Sequence, residues 1–246
     1  MIPKIIHYCW FGGKPLPPLA KKCLDSWKRL CPDYEIIQWN EGNFDLASAP
    51  LYVKQAYEAK KWAFVTDYVR LQVVYENGGI YFDTDVELLK PLEPFLSYRA
   101  FFGFENRENI NTGLGFGAEK GTPLLKALMD DYRDALFCLE DNTFDTTPCP
   151  ERNTAVFRAF GLIPNGSSQS LDGNIGIFST EYFCPIDFFT KQMHKTENTV
   201  TIHWFSGSWI DKRAVRRQKI RVKLLQTLKK IIGSKNYEKL KARYKR

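Results

Sequence analysis

Apolar residues recur along the first forty positions in two different rhythms. Residues 3–10 (PKIIHYCW) make a short, mostly apolar run, and Gly12-Gly13-Lys14-Pro15 turns the chain out of it, which predicts a first strand. Over 17–30, Leu19, Cys23, Ser26, Trp27 and Leu30 fall at helical spacing, and Cys31-Pro32 closes the helix. Residues 34–39 (YEIIQW) read as a second strand, with Asn40-Glu41-Gly42-Asn43 as the loop after it. This β-α-β opening predicts an α/β fold on a parallel sheet with helices on its faces. Ligands in such sheets sit at the carboxyl ends of the strands.

The next helical rhythm covers 56–75 in two parts, with Val65, Val69, Val73, Leu71 and Val74 as a core-facing stripe. Asp67 and Arg70 are three apart and share a face, with Thr66 close by. A weak surface ion pair is one reading; a face turned into the cleft formed by the next stretch is the other. That stretch is Asn77-Gly78-Gly79-Ile80-Tyr81-Phe82-Asp83-Thr84-Asp85-Val86. Asn77 and Gly78 end the helix, and Ile80, Tyr81 and Phe82 make a strand buried on both faces. The strand stops on two acids one residue apart. Buried carboxylates this close are costly unless a cation lies between them, and oxygen ligands suit Mg2+ or Mn2+. An ordinary acidic turn contains the same residue types, so both readings stand at this point.

Short strands are expected at 101–105 and 112–116 around the polar loop 106–111, and helices at 123–137 and 153–160. Thr146-Thr147-Pro148-Cys149-Pro150 breaks the chain between those helices, and Gly166-Ser167-Ser168-Gln169-Ser170 has the composition of a linker. Late strands are expected at 175–183 and 199–204. The second runs into His203-Trp204-Phe205-Ser206-Gly207-Ser208-Trp209, where a histidine ends a strand ahead of a glycine turn and a tryptophan. A metal ligand beside a covering ring fits this pattern, and so does a buried histidine with a packing tryptophan. Residues 213–232 read as a basic amphipathic helix, apolar at Val215, Ile220, Leu224, Leu225, Leu228, Ile231 and Ile232.

Composition narrows the class. The 246 residues, 44% hydrophobic and 15% aromatic, fit one large domain with an appendage. No apolar run is long enough for a transmembrane helix, and the strand-like start does not read as a signal peptide. The six cysteines form no CxxC pair and read as reduced cytosolic thiols. The net charge of +7 is unevenly spread: residues 211–246 hold fifteen Lys or Arg against two acids, leaving the body mildly acidic. A basic amphipathic tail predicts contact with an anionic membrane surface, and no nucleic-acid motif accompanies it. The expected location is cytoplasmic, peripheral on the inner face of the cell membrane.

Four blocks in one order carry a resemblance: Ile2–Trp10 (IPKIIHYCW), Ala63-x-x-x-Asp67-x-x-Arg70, Gly78-Gly79-Ile80-Tyr81-Phe82-Asp83-Thr84-Asp85, and His203-x-x-x-Gly207-Ser208-Trp209. Together they resemble the family 32 glycosyltransferases, over roughly residues 2–210. The resemblance implies a GT-A fold, a single Rossmann-like nucleotide-diphospho-sugar transferase domain over 1–210, followed by the helical tail 211–246. It also implies a retaining enzyme with a nucleotide-sugar donor. Asp85 would bind Mn2+ or Mg2+ directly, with His203 and Asp83 beside it. Asp83 would contact the ribose or donor sugar, and Asp67 and Arg70 would hold donor-sugar hydroxyls. Trp10 would border the nucleoside, Thr84 and Ser208 would belong to the donor site, and Trp209 to a lid over the diphosphate.

The function expected from these residues is metal-dependent transfer of a hexose, from a UDP-sugar by preference, to a polysaccharide or glycolipid acceptor in bacterial surface glycan synthesis. Two rivals stand against it. Phe82-Asp83-Thr84-Asp85-Val86 also fits a haloacid-dehalogenase-type phosphatase with Asp83 as nucleophile and Asp85 as general acid. That motif normally lies near an N-terminus, whereas two β-α passes precede it here. The other rival is a non-enzymatic adaptor that binds membranes through the basic tail.

Overall fold

The computed structural model describes residues 1–188 and 190–207 of the chain. Its elements are β1 (Ile5–Cys9), α1 (Pro18–Leu30), β2 (Glu35–Trp39), α2 (Leu51–Glu58), α3 (Trp62–Asn77), β3 (Gly79–Tyr81), β4 (Val86–Leu88), β5 (Ala100–Gly103) and β6 (Phe116–Ala118). They continue as α4 (Pro123–Asp130), α5 (Cys149–Ala159), β7 (Gln169–Leu171), β8 (Ile175–Phe178), α6 (Thr180–Phe183) and β9 (Thr201–His203). Seven strands form one sheet in the order β2-β1-β3-β6-β5-β8-β7. β2, β1, β3, β5 and β8 run one way, while β6 and β7 run against them. β4 and β9 pair antiparallel as a separate ribbon, with Val86 opposite His203.

Alternation along the strands fills two cores. Ile6, Ile80, Phe82 and Phe101 point to the side where α1 contributes Cys23, Leu24 and Trp27 and α6 contributes Phe183. Cys9, Tyr81, Phe102 and Phe116 point to the other side, against Val65, Val69 and Val73 of α3, Leu125 of α4 and Phe157 of α5. The β-α-β opening and the core stripe of α3 stand where the sequence puts them.

Other boundaries moved for local reasons. The two-part helix expected over 56–75 is two helices, divided where Lys60 takes a left-handed conformation (φ 57°) and Lys61 N–H closes on Ala56 O at 2.9 Å; the first starts earlier, at Leu51, and the second runs on to Asn77. The helix expected over 123–137 stops at Asp130. Further on, the amides of Phe137 and Cys138 turn to the side-chain oxygen of Gln55, at 2.9 and 3.1 Å. α5 begins at Cys149, inside the expected break, because prolines are tolerated in a first turn. The expected strand 175–183 divides into β8 and α6. The linker-like 166–170 is tied down: Gln169 exchanges two 2.9 Å hydrogen bonds with the backbone of Ile163, and Ser168 Oγ accepts the Ser179 amide. The expected strand 112–116 begins only at Phe116, and residues 111–115 instead reach the acids at the end of β3. All six cysteines are free thiols. Among the described residues no helix is long and apolar enough to cross a membrane. The basic helix expected at 213–232 lies outside the described residues.

Candidate active site

The turn from α3 into β3 fixes where the acids fall. Gly78 (φ 69°) ends α3, and Gly79 (φ 104°) packs so tightly on β1 that a Cβ there would meet Ile5 O at 2.8 Å. His7 completes the joint. Its Nδ1 accepts the Trp39 indole N–H at 3.1 Å and its Nε2 donates to Gly78 O at 2.8 Å, so this histidine is a neutral structural group whose pKa burial lowers. Phe82 N–H extends the pairing to His7 O, and Val86 N–H bonds Asp83 O at 3.0 Å to close a turn through Thr84 and Asp85. α1 then anchors the strand beyond. Trp27 Nε1 donates to Val86 O at 2.8 Å, and Ser26 Oγ accepts the Leu88 amide at 2.9 Å. An amphipathic helix far away in sequence therefore holds the acidic turn.

Around that turn the structure gathers most of the residues singled out above. The β4–β9 register sets His203 beside Asp85, with His203 Nε2 3.0 Å from Asp85 Oδ1. The next segment folds over the same residue. Trp204 N–H donates to Asp85 O at 3.0 Å and Ser206 N–H to Asp85 Oδ2 at 2.7 Å, past Phe205 at φ 48°. From α3, Arg70 is 3% exposed and its guanidinium lies 2.7 Å from Asp67 Oδ1 and 3.6 Å from Asp83 Oδ1. Arg70 Nε also donates to Thr66 O at 3.0 Å, and Tyr81 OH donates to Asp83 Oδ1 at 2.9 Å. The Asp67–Arg70 pair is thus buried against Asp83 and is no surface ion pair.

Each charge in this group is displaced by its surroundings. Burial pushes Asp67 up to about 6 against the pull of Arg70, and raises Asp83 for the same reason. Asp85 goes the other way: burial opposes it, but the His203 charge and the hydrogen bonds from His203 and Ser206 hold it well below the carboxylate range. His203, which burial alone would lower, is raised by Asp85, then by Asp83 and Glu105. Arg70 stays protonated because Asp83 and Asp67 outweigh its burial.

The donor set fits a divalent cation. One ligand atom each from Asp83, Asp85 and His203 lies within 4.8 Å of the others, two oxygens and an imidazole nitrogen. His203 Nδ1 is buried without a hydrogen-bond partner among the described residues.

Sequence reasoning missed the wall opposite α3. Asp83 N–H approaches Gly113 O at 3.4 Å, and a Cβ on Gly113 would stand 2.5 Å from Asp83 Oδ2 and 2.9 Å from Arg70 Nη1. Asn111 Oδ1 accepts the Gly113 amide at 2.6 Å, and its Nδ2 donates to Glu105. Cys149, at the start of α5, lies 3.4 Å from Thr112 Oγ1 and 3.3 Å from Asn153 Nδ2, and burial pushes its thiol up to about 12. Reading 112–116 as a strand hid this wall; its one signal was the polar loop ahead of it. Thr84 is the half-buried middle of the acidic turn. Trp10 leaves the end of β1 at the same edge, its indole N–H on Lys14 O, and no hydrogen bond joins it to the acids among the described residues. Ser208 and Trp209 lie outside the described residues.

The arrangement, a parallel-rich sheet with an Asp-x-Asp turn at the carboxyl end of an inner strand, defines the DXD-containing glycosyltransferases of GT-A fold. Residues 17–102 match the family described as the glycosyltransferase sugar-binding region containing DXD motif. The match takes in Asp67, Arg70, Asp83 and Asp85. Among curated proteins, the chain is 33% identical over 132 residues to inositol phosphoceramide mannosyltransferase 3 of Schizosaccharomyces pombe, covering 50% of this chain and 35% of that one. It is 27% identical over 111 residues to inositol phosphoceramide mannosyltransferase 1 of the same yeast, covering 41% and 33%. The matched segments thus span about a third of the length of these relatives. Among solved structures, the PaToxG glycosyltransferase has the same fold, with TM-score 0.50 and 18% identity over 64% of this chain and 69% of that one.

Proposed function

We propose that this chain is a metal-dependent, retaining transferase that moves a hexosyl group from a nucleotide sugar to a hydroxyl of a glycan or lipid acceptor. One observation carries the reading: the ligand atoms of Asp83, Asp85 and His203 lie within 4.8 Å of one another beside the buried Asp67–Arg70 pair. Asp85 and His203, with Asp83, would hold Mn2+ or Mg2+, cations that keep few protein ligands and leave room for phosphate. Bound there, the cation supplies electrostatic stabilisation of the charge that develops on the departing nucleoside diphosphate. Asp67 accepts and Arg70 donates hydrogen bonds to donor-sugar hydroxyls, orienting the ring as it becomes oxocarbenium-like. Arg70, held by Asp67, Asp83 and Thr66, has neither the freedom nor the pKa to act as an acid or base. Trp10 and the end of β1 border the nucleoside and Thr84 backs the diphosphate. Ser208 and Trp209 belong to the donor site on their motif alone.

The names of the yeast relatives bring a mannosyl donor and a polyol-bearing lipid into consideration beside the UDP-sugar and bacterial surface glycan favoured by the motifs. Residues 211–246 meet an anionic membrane surface on the strength of their charge; co-sedimentation with anionic liposomes, lost when 212–246 are deleted, checks this. The central experiment is turnover of GDP-mannose, UDP-glucose, UDP-galactose and the N-acetyl UDP-sugars, with and without Mn2+, by wild type and Asp85→Ala. Mn2+-dependent release of one nucleoside diphosphate, reduced about 10²- to 10³-fold in the variant, is expected. Full activity of Asp85→Ala, or turnover indifferent to metal, refutes the reading. Cleavage of a phosphomonoester abolished by Asp83→Asn would hand the site to phosphatase chemistry.

A further inference from the structure

The connection between β5 and β6 brings to the cleft a pair of side chains for which donor and metal have no use. β5 ends at the sheet edge where β3 ends, and β6 re-enters there antiparallel, so residues 104–115 cross the same edge as Asp83. A bridge between Phe104 and Ile110, with Glu105 N–H on Asn109 O at 2.8 Å, closes the base of this loop.

Asn111 is pinned at both ends of its amide. Its Oδ1 accepts the Gly113 N–H at 2.6 Å and lies 3.7 Å from Cys149 Sγ, while its Nδ2 donates to Glu105 Oε2. An amide committed as acceptor at one end cannot flip, so the Glu105 oxygen it meets must accept. Glu105 is therefore oriented through one of its oxygens, and the other has no hydrogen-bond partner among the described residues. Through Gly113, the same Asn111 stands beside Asp83 and Arg70, and the Glu105 charge reaches His203.

Glu105 lies outside the compact donor set of Asp83, Asp85 and His203, so it is no ligand of the cation held there. The sugar hydroxyls on the α3 side already have Asp67 and Arg70. What the transfer still needs at this edge is a group that receives the incoming hydroxyl, and an oriented carboxylate with one free oxygen is an acceptor for an O–H donor. We propose that Glu105, oriented by Asn111, binds a hydroxyl of the acceptor sugar or polyol headgroup and sets it against the donor sugar. The proposal rests on the transferase reading of the site. Glu105 orients the hydroxyl and takes no proton in it.

The test uses the full chain, Mn2+ and the donor selected by the nucleotide-sugar panel, with methyl α-D-mannopyranoside and detergent-dispersed inositol phosphoceramide as acceptor probes. Glu105→Gln keeps the size of the side chain but weakens the charge-assisted hydrogen bond. It is expected to raise the acceptor KM about tenfold or more while the donor KM moves less than about threefold. Glu105→Asp, which keeps the charge on a shorter arm, is expected to recover part of that loss and answers the question if the Gln variant does not fold. Unchanged acceptor KM in both variants overturns the proposal. Equal losses in donor and acceptor constants overturn it too, because Glu105 would then be scaffold. If wild type turns over no nucleotide sugar, the transferase reading fails and this proposal falls with it, a result distinct from an active enzyme indifferent to Glu105.

Discussion

Arg70 is the cation on which the α3 side of the site depends, and Arg70→Met isolates its charge. The guanidinium is buried between Asp67 at 2.7 Å and Asp83 at 3.6 Å, and it lies over the Tyr81 ring. Methionine fills much of the same space without charge and leaves two carboxylates facing each other out of water. Removing one partner of a buried pair costs about 3–5 kcal/mol. Part of that cost depends on pH, and its sign follows from Asp67. Its folded pKa is about 6 against 3.8 for an unperturbed aspartate, so between those values the folded protein binds a proton that the unfolded chain has released. Asp67 is therefore neutral to stability below about pH 4 and increasingly unfavourable up to pH 6, by on the order of 3 kcal/mol. Taking away Arg70 removes the charge that pulls Asp67 and Asp83 down, so both titrate higher and the deficit grows with pH. Urea unfolding of the metal-free full chain at pH 5 and pH 8 measures it, because groups common to both proteins cancel in the difference. We expect a loss of about 3–5 kcal/mol at pH 8 and roughly half of that at pH 5. An equal loss at both values would mean that packing, not charge, is what Arg70 supplies; a larger loss at pH 5 would reverse the sign and refute the account.

Three further outcomes follow from the geometry. Gly113→Ala drives a Cβ to 2.5 Å from Asp83 Oδ2 and 2.9 Å from Arg70 Nη1, both held by other bonds; a stability loss of about 1–3 kcal/mol and donor turnover reduced around 10²-fold are expected, and wild-type values for both would sink the claim. Gly79→Ala, with φ 104° and Ile5 O 2.8 Å from the new Cβ, should cost more than about 3 kcal/mol in thermal unfolding, and a near-neutral result would show that the α3–β3 joint can relax. Mn2+ must displace the proton that Asp85 keeps on His203, so its affinity should rise about tenfold per pH unit until the raised His203 pKa is passed; a flat profile in calorimetric titrations from pH 6 to 8 would exclude His203 from the ligand set.

The legible parts of this fold are those whose information is local. The run Ile80-Tyr81-Phe82 ending on Asp83 marks its strand because apolar residues and a glycine pair lie side by side in sequence. The same holds for α1, whose apolar period survives in the buried Cys23, Ser26 and Trp27. The helix expected to run to residue 137 fails because its competitor is remote: Gln55, eighty-two residues away from Phe137, takes the amides that a longer helix would have used. The site divides in the same way. Asp67 and Arg70 announce themselves by i,i+3 spacing, whereas Glu105, Asn111 and Cys149 meet only because β5, β6 and α5 converge on one edge. Thr112-Gly113-Leu114-Gly115-Phe116 looks like a strand locally, but Gly113 is required by the approach of Asp83, a constraint invisible from its neighbours in sequence.

Charge balance ties these parts into one design. Asp67, Asp83, Asp85 and Glu105 face Arg70 and His203, so with every group ionised the cluster carries two negative charges in excess, largely out of water. Burial raises the pKa values of Asp67, Asp83 and Glu105, whereas His203 and Ser206 hold Asp85 well below the carboxylate range. A divalent cation beside Asp85 would match that excess in magnitude. Arg70 cannot play that part, being already shared between Asp67 and Asp83. On the transferase reading, a cation held where Asp83, Asp85 and His203 converge would offset that surplus before a nucleoside diphosphate, itself an anion, approaches four carboxylates.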